Sequence, residues 1–96
     1  MARVSKEETI AVGRALAGCP LPLLCVRAAG TAIAAPIVNR RYEDLECAVA
    51  MARHLAPEAT RFELVAAEDE EARPAGGVIL AEPVFVVAEF TILPDE

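Results

Sequence analysis

Aromatic residues are scarce in this chain of 96 residues. Tyr42, Phe62, Phe85 and Phe90 are the whole set, and tryptophan is absent. Four scattered rings cannot build the stacking platforms on which single-stranded nucleic acid is read. Positive charge is thin as well. Nine basic residues stand against fifteen acidic ones, the net charge is −6, and no basic cluster exceeds the pair Arg40-Arg41. Binding through a phosphate backbone needs a basic surface, so no direct nucleic-acid partner is expected. Catalytic side chains are few. Ser5 is the one serine and His54 the one histidine, which leaves a Ser-His-Asp triad almost no raw material.

Uninterrupted apolar runs are missing too. Residues 19 to 38 carry a single charge, Arg27, but Pro20, Pro22, Gly30 and Pro36 break the stretch. A membrane helix needs roughly 20 consecutive apolar residues, so two short strands are the better account and no membrane partner is expected. No apolar segment follows Met1-Ala2-Arg3-Val4-Ser5-Lys6-Glu7-Glu8, so no signal peptide is expected. Three cysteines, an odd count, without a secretion signal point to reduced thiols and a cytoplasmic protein.

What is present suits one small α+β domain over residues 1–96. Hydrophobic residues make up 55% of the chain, well above a disordered composition, although much of that is alanine, which buries little area per residue. Residues 42 to 56 give the clearest pattern. Leu45, Ala48, Val49, Ala52, Leu55 and Ala56 recur at helical spacing, while Glu43, Cys47, Ala50 and His54 fall opposite. Acids in the first turns and Arg53 and His54 in the last match the helix dipole, and Pro57 ends the helix. Asn39 is a candidate cap. An earlier helix is announced by the capping box Ser5-Lys6-Glu7-Glu8, with Ile10, Val12, Gly13, Leu16 and Ala17 as its apolar side. Gly18 is expected at the left-handed position that closes it, with Pro20 beyond.

Leu21 to Ala28 and Thr31 to Val38 read as strands joined at Ala29-Gly30, the second placed at an edge or bulge by Pro36. Residues 61 to 67 alternate, Phe62, Leu64 and Ala66 against Arg61, Glu63 and Val65. Glu68-Asp69-Glu70-Glu71 followed by Pro74 and Gly76-Gly77 reads as a mobile acidic loop at about 68–77. Val78 to Leu93 is a last β region divided at Pro83, before a frayed tail at 94–96. The order αββαββ predicts a mainly antiparallel sheet with both helices on one face. Arg14-Ala15-Leu16-Ala17 and Arg53-His54-Leu55-Ala56, with Leu23 and Phe62, occupy matching points in the two halves. Chance produces such matches readily in an alanine-rich chain.

Two helices leave the other sheet face, carrying Cys25, Val65 and Val87, uncovered, and an apolar surface of that size marks an interface. The function expected first is therefore a non-enzymatic, small acidic protein–protein interaction module. It self-associates through its sheet as a homodimer, sheet on sheet or edge to edge, without a cofactor. Partner contacts are placed at Val65, Val87, Glu68, Asp69, Glu70 and Glu71. A second reading is a small acidic inhibitor or decoy of mobile-element type that meets a basic nucleic-acid-binding protein. A third is a thiol redox or metal-carrier protein using Cys19, Cys25 or Cys47. The spacing C-x5-C of Cys19 and Cys25 is not that of redox or zinc motifs. Cys47 and His54 lie two turns apart, about 10 Å along the axis at 1.5 Å per residue. A fourth is a small-molecule pocket between helices and sheet, without an evident polar anchor. No metal site is expected, since the acidic run lacks the spacing that wraps an ion.

Overall fold

The computed structural model describes residues 5–92. The expected tail at 94–96 and the strand end at Leu93 lie outside the described residues. The element order is α1 (Lys6–Gly18), β1 (Leu23–Ala28), β2 (Ile33–Pro36), α2 (Tyr42–Leu55), β3 (Arg61–Ala67), β4 (Glu70–Ala72), a 3-10 turn at Pro74–Gly76, β5 (Val78–Leu80) and β6 (Phe85–Thr91). The strands form one six-stranded sheet in the order β4-β5-β2-β1-β3-β6, with every neighbouring pair antiparallel. The fold is α+β.

Local chemistry explains most of the boundaries. The Ser5 hydroxyl oxygen accepts the Glu8 amide at 3.2 Å and the hydroxyl donates to the Glu8 carboxylate at 3.0 Å. The capping box closes hydroxyl to carboxylate, a cap whose loss costs about 0.5–2 kcal/mol. The other end of α1 departs from expectation. Gly18 is not in the left-handed region; Gly30 and Gly76 are the two glycines that are. Cys19 ends the helix with φ −71°, and no basic residue stands in the last turn. Arg40 supplies the missing cation. Its guanidinium donates to the carbonyl oxygens of Cys19 and Leu21 at 2.6 Å each and reaches that of Leu16 at 3.4 Å. The reach to Leu16 meets a carbonyl of the last helical turn, and the two short bonds hold the cap residue and the segment leaving the helix. Gly30, at φ +85°, sits in the β1–β2 turn, where the Thr31 amide donates to the Ala28 carbonyl at 3.1 Å. Asn39 does not cap α2. Arg41 holds the cap position without a side-chain bond to the helix backbone.

Both helices lie on one face of the sheet. Val12 and Leu16 of α1 and Leu45, Ala48 and Ala52 of α2 are buried with Leu24, Val26, Phe62, Leu64 and Phe90 of the strands. The Phe62 and Phe90 rings stack at 5.8 Å. The α1 stripe is narrower than expected: Ile10 and Ala17 are exposed. Gly13 leaves space for the Tyr42 hydroxyl, which a Cβ there would meet at 2.9 Å.

The far face overturns the expectation of an uncovered sheet. Only residues 68 and 69 separate β3 from β4, yet the strand order places those two strands four spacings apart. A flat sheet would hold them about 19 Å apart at ~4.8 Å per spacing, whereas three residue steps reach about 11 Å at most. The sheet therefore curls, and β4 and β5 fold back across its far side. Val78 and Leu80 of β5 pack there with Cys25, Ala34, Val65 and Ala67, flanked by Leu23 and Val84. Cys25 is left 1% exposed and Val65 0%. The chain covers this patch unaided. Beyond it the far face turns polar: Arg27, opposite Glu63, donates to its carboxylate at 3.0 Å, and Arg61 pairs with Glu89 at 3.0 Å.

The acidic segment is built into the same cover. Glu70–Ala72 is a strand rather than a loop, because Glu70 and Ala72 pair with Leu80 and Ile79 of β5. Gly77 pins the arrangement: a Cβ there would collide with Ile33 Cγ2 and crowd the Ala34 carbonyl oxygen at 3.1 Å. Pro36 falls where β2 has lost its outer neighbour, a local edge at which its missing amide costs no ladder bond. β5 pairs with Ile33 and Ala34 only, so β2 is internal at its start and Pro36 ends it. The matching points of the two halves differ in facing. Leu23 belongs to the far patch and Phe62 to the helix-side core, so the alignment puts opposite faces in register.

Candidate functional site

The residues singled out in the sequence are scattered. Val65 lies beneath β5 with no surface to offer a partner, which removes it from any interface of the folded chain. Its loss follows directly from the curl of the sheet. Of the four consecutive acids, Glu70 forms a two-bond ion pair with Arg73. Asp69 is exposed, its carboxylate accepting the Glu70 amide at 2.8 Å and its carbonyl oxygen the Ala81 amide at 3.0 Å. Glu68 and Glu71 are exposed and form no ion pair among the described residues.

The three thiols are free and dispersed. Cys25 is buried, Cys19 half-buried at the end of α1, and Cys47 exposed on α2. Burial pushes the Cys25 thiol up from its ordinary 9.0 to about 11, against a smaller opposing pull from the Arg73 guanidinium. A thiol so placed is a poor nucleophile. Among the described residues, no three His, Cys, Asp or Glu side chains converge in a way that holds a metal ion. His54 is exposed at the end of α2.

Two concave regions flank α1. The smaller, about 360 Å³, lies between α1, α2 and the end of β6, with Val12, Leu45, Phe90 and Ile92 as floor and Thr9, Tyr42, Glu46 and Arg53 as rim. Every one of those rim side chains is exposed, so no buried polar group fixes a ligand's orientation there. The larger, about 860 Å³, is an open groove between α1 and the outer edge of β6, with Ala11, Ala15 and Gly18 on the helix side and Phe85, Val86 and Val87 on the strand.

That edge is the most unusual surface of the molecule. Among the described residues, β6 pairs with β3 on one side and with nothing on the other. Phe85 is 48% exposed, Val86 47% and Val87 36%, three apolar residues in succession. A bulge explains why. Leu64 stands opposite Ala88 but Val65 stands opposite Val86, so Val87 is an extra residue. It breaks the strict alternation expected along residues 84–93. Ala88 and Phe90 join the helix-side core, while Val87 stands beside α1 rather than in the far patch with Cys25. The sequence named Val87 and missed Phe85 and Val86. The apolar run Val84-Phe85-Val86-Val87 was the available signal.

Compared with known proteins, the chain matches no family model, no curated protein and no solved structure. No helix of the described residues is long and apolar enough to cross a membrane.

Proposed function

We propose that this chain is a small, non-enzymatic protein-interaction module that associates with a second copy of itself through its sheet. The observation that carries this reading is the free β6 edge with Phe85, Val86 and Val87 exposed together. Unpaired amide and carbonyl groups beside apolar side chains form a template for another strand. Of the two expected modes, sheet-on-sheet closure loses its surface because Cys25 and Val65 are buried, and edge-to-edge closure is the one proposed. Dispersed thiols, an exposed lone histidine and a serine engaged in a helix cap favour binding over catalysis. The thiols belong to a reducing compartment, which makes the cytoplasm the proposed location. Contact with a basic protein is a lesser proposal and rests on Glu68 and Glu71 alone.

Light scattering or sedimentation across a wide concentration range tests the main reading. The expected result is a dimer. A compact monomer at every concentration would overturn it.

A further inference from the structure

We infer that the strand seated on the β6 edge is β6 of a second copy, running antiparallel about a two-fold axis near Val87, so that two six-stranded sheets join into one. The inference rests on the self-association proposed above and names the surface and the register.

Three observations support this occupant. The first is charge. The chain carries −6 overall, so most of its surface repels a copy of itself. Val84 to Ala88 holds no charge. Glu89, the one charged residue on β6, is paired with Arg61 at 3.0 Å. With the axis near Val87, the two Glu89 carboxylates stand four residues apart along the strands, about 14 Å at ~3.4 Å per residue, beyond the screening length of about 8 Å in physiological salt.

The second is shape. In an antiparallel pair, opposed residues point to the same side, so both α1 helices lie on one face and flank the new seam. The groove beside β6 must then admit a strand. Its helix wall is low at Ala11, Ala15 and Gly18, with Arg14 the one long side chain along it.

The third is closure. The other sheet edge, β4, is three residues long and carries Glu70 and Glu71, with Arg73 bound to Glu70. A short charged edge discourages pairing. One open edge per chain gives an isologous dimer that stops at two copies.

Sedimentation equilibrium of the full chain and of Val86→Lys tests the proposal. Val86 is half exposed in the single chain, so the variant folds with an unchanged circular dichroism spectrum, while two lysines set two residues apart across the seam raise the dimer dissociation constant by roughly 100-fold or more. A nitroxide on Val87→Cys, with Cys19 and Cys47 changed to serine, should then report a single short distance between copies by pulsed electron resonance. A dimer that Val86→Lys leaves intact, or labels held far apart, overturns the β6 pairing while self-association stands. A wild-type chain that is monomeric throughout, or that binds only a foreign strand at β6, overturns the self-association as well.

Discussion

The two edges of the sheet are opposites. β4 is short, acidic and folded back over the far face; β6 is seven residues long, apolar at its start and open along its outer side. β4 comes from a run of carboxylates that alone would repel, yet its backbone pairs with β5 and its charges guard the edge. β6 comes from the strongest β pattern in the chain, yet its best-formed apolar residues face solvent. Hydrophobicity marked the strand correctly and misjudged its depth, because depth is set by what lies next to a strand and β6 is last in line.

The comparison is broken most directly at the cover that β4 and β5 provide. Leu80 seals the far patch, so Leu80→Ala should cost about 2–5 kcal/mol and expose Cys25 to thiol reagents. Urea unfolding and the rate of thiol labelling read the two effects. A variant that unfolds like the wild type, with Cys25 still protected, would show that the far face does not depend on β5.

The same thiol gives a smaller, pH-dependent effect. Cys25 is held neutral to about 11 when folded, whereas an unfolded thiol ionises near 9.0. Between those values the unfolded chain has lost a proton that the folded chain keeps, so stability falls as pH rises through this window and is unaffected by this group below it. At about 1.4 kcal/mol per unit, the loss reaches up to ~3 kcal/mol by pH 11. Unfolding curves from pH 8 to 11 for the wild type and Cys25→Ala isolate it. Parallel pH profiles for the two would remove Cys25 from the account.

The smallest effect is expected at the guarded edge itself. The Glu70–Arg73 pair lies at the surface, with Arg73 exposed, where solvent screens such pairs to little net effect. Glu70→Gln should leave the urea unfolding midpoint and the association unchanged. An effect on the dimer as large as that of Val86→Lys would erase the distinction between the two edges.

The helices, the inner strands and the αββα opening were legible because their periodicities are local. Leu45-Ala48-Ala52 and Phe62-Leu64-Ala66 need only their own spacing to declare a buried face. The curl was not legible in the periodicity, though a hint existed: two residues between β3 and β4 cannot cross a flat sheet. The polar end of the far face was also written in Arg27, Arg61 and Glu63, which restrict the apolar patch to the end that β5 covers. The Val87 bulge was invisible, because inserting one residue reverses the alternation without any change of composition. The Arg40 clip joins residues 19 and 21 positions apart in sequence, a distance at which side-chain pairing has no sequence signature.

One consequence follows from where α1 finds its seat. The first helix packs against the last strand, with Val12 and Leu16 in the same core as Ala88 and Phe90. On the ribosome, therefore, this helix must wait until β6 has emerged before its greasy side is sheltered. A polypeptide stalled ahead of Phe85 leaves that side bare, and the nascent chain is then a natural client for chaperones.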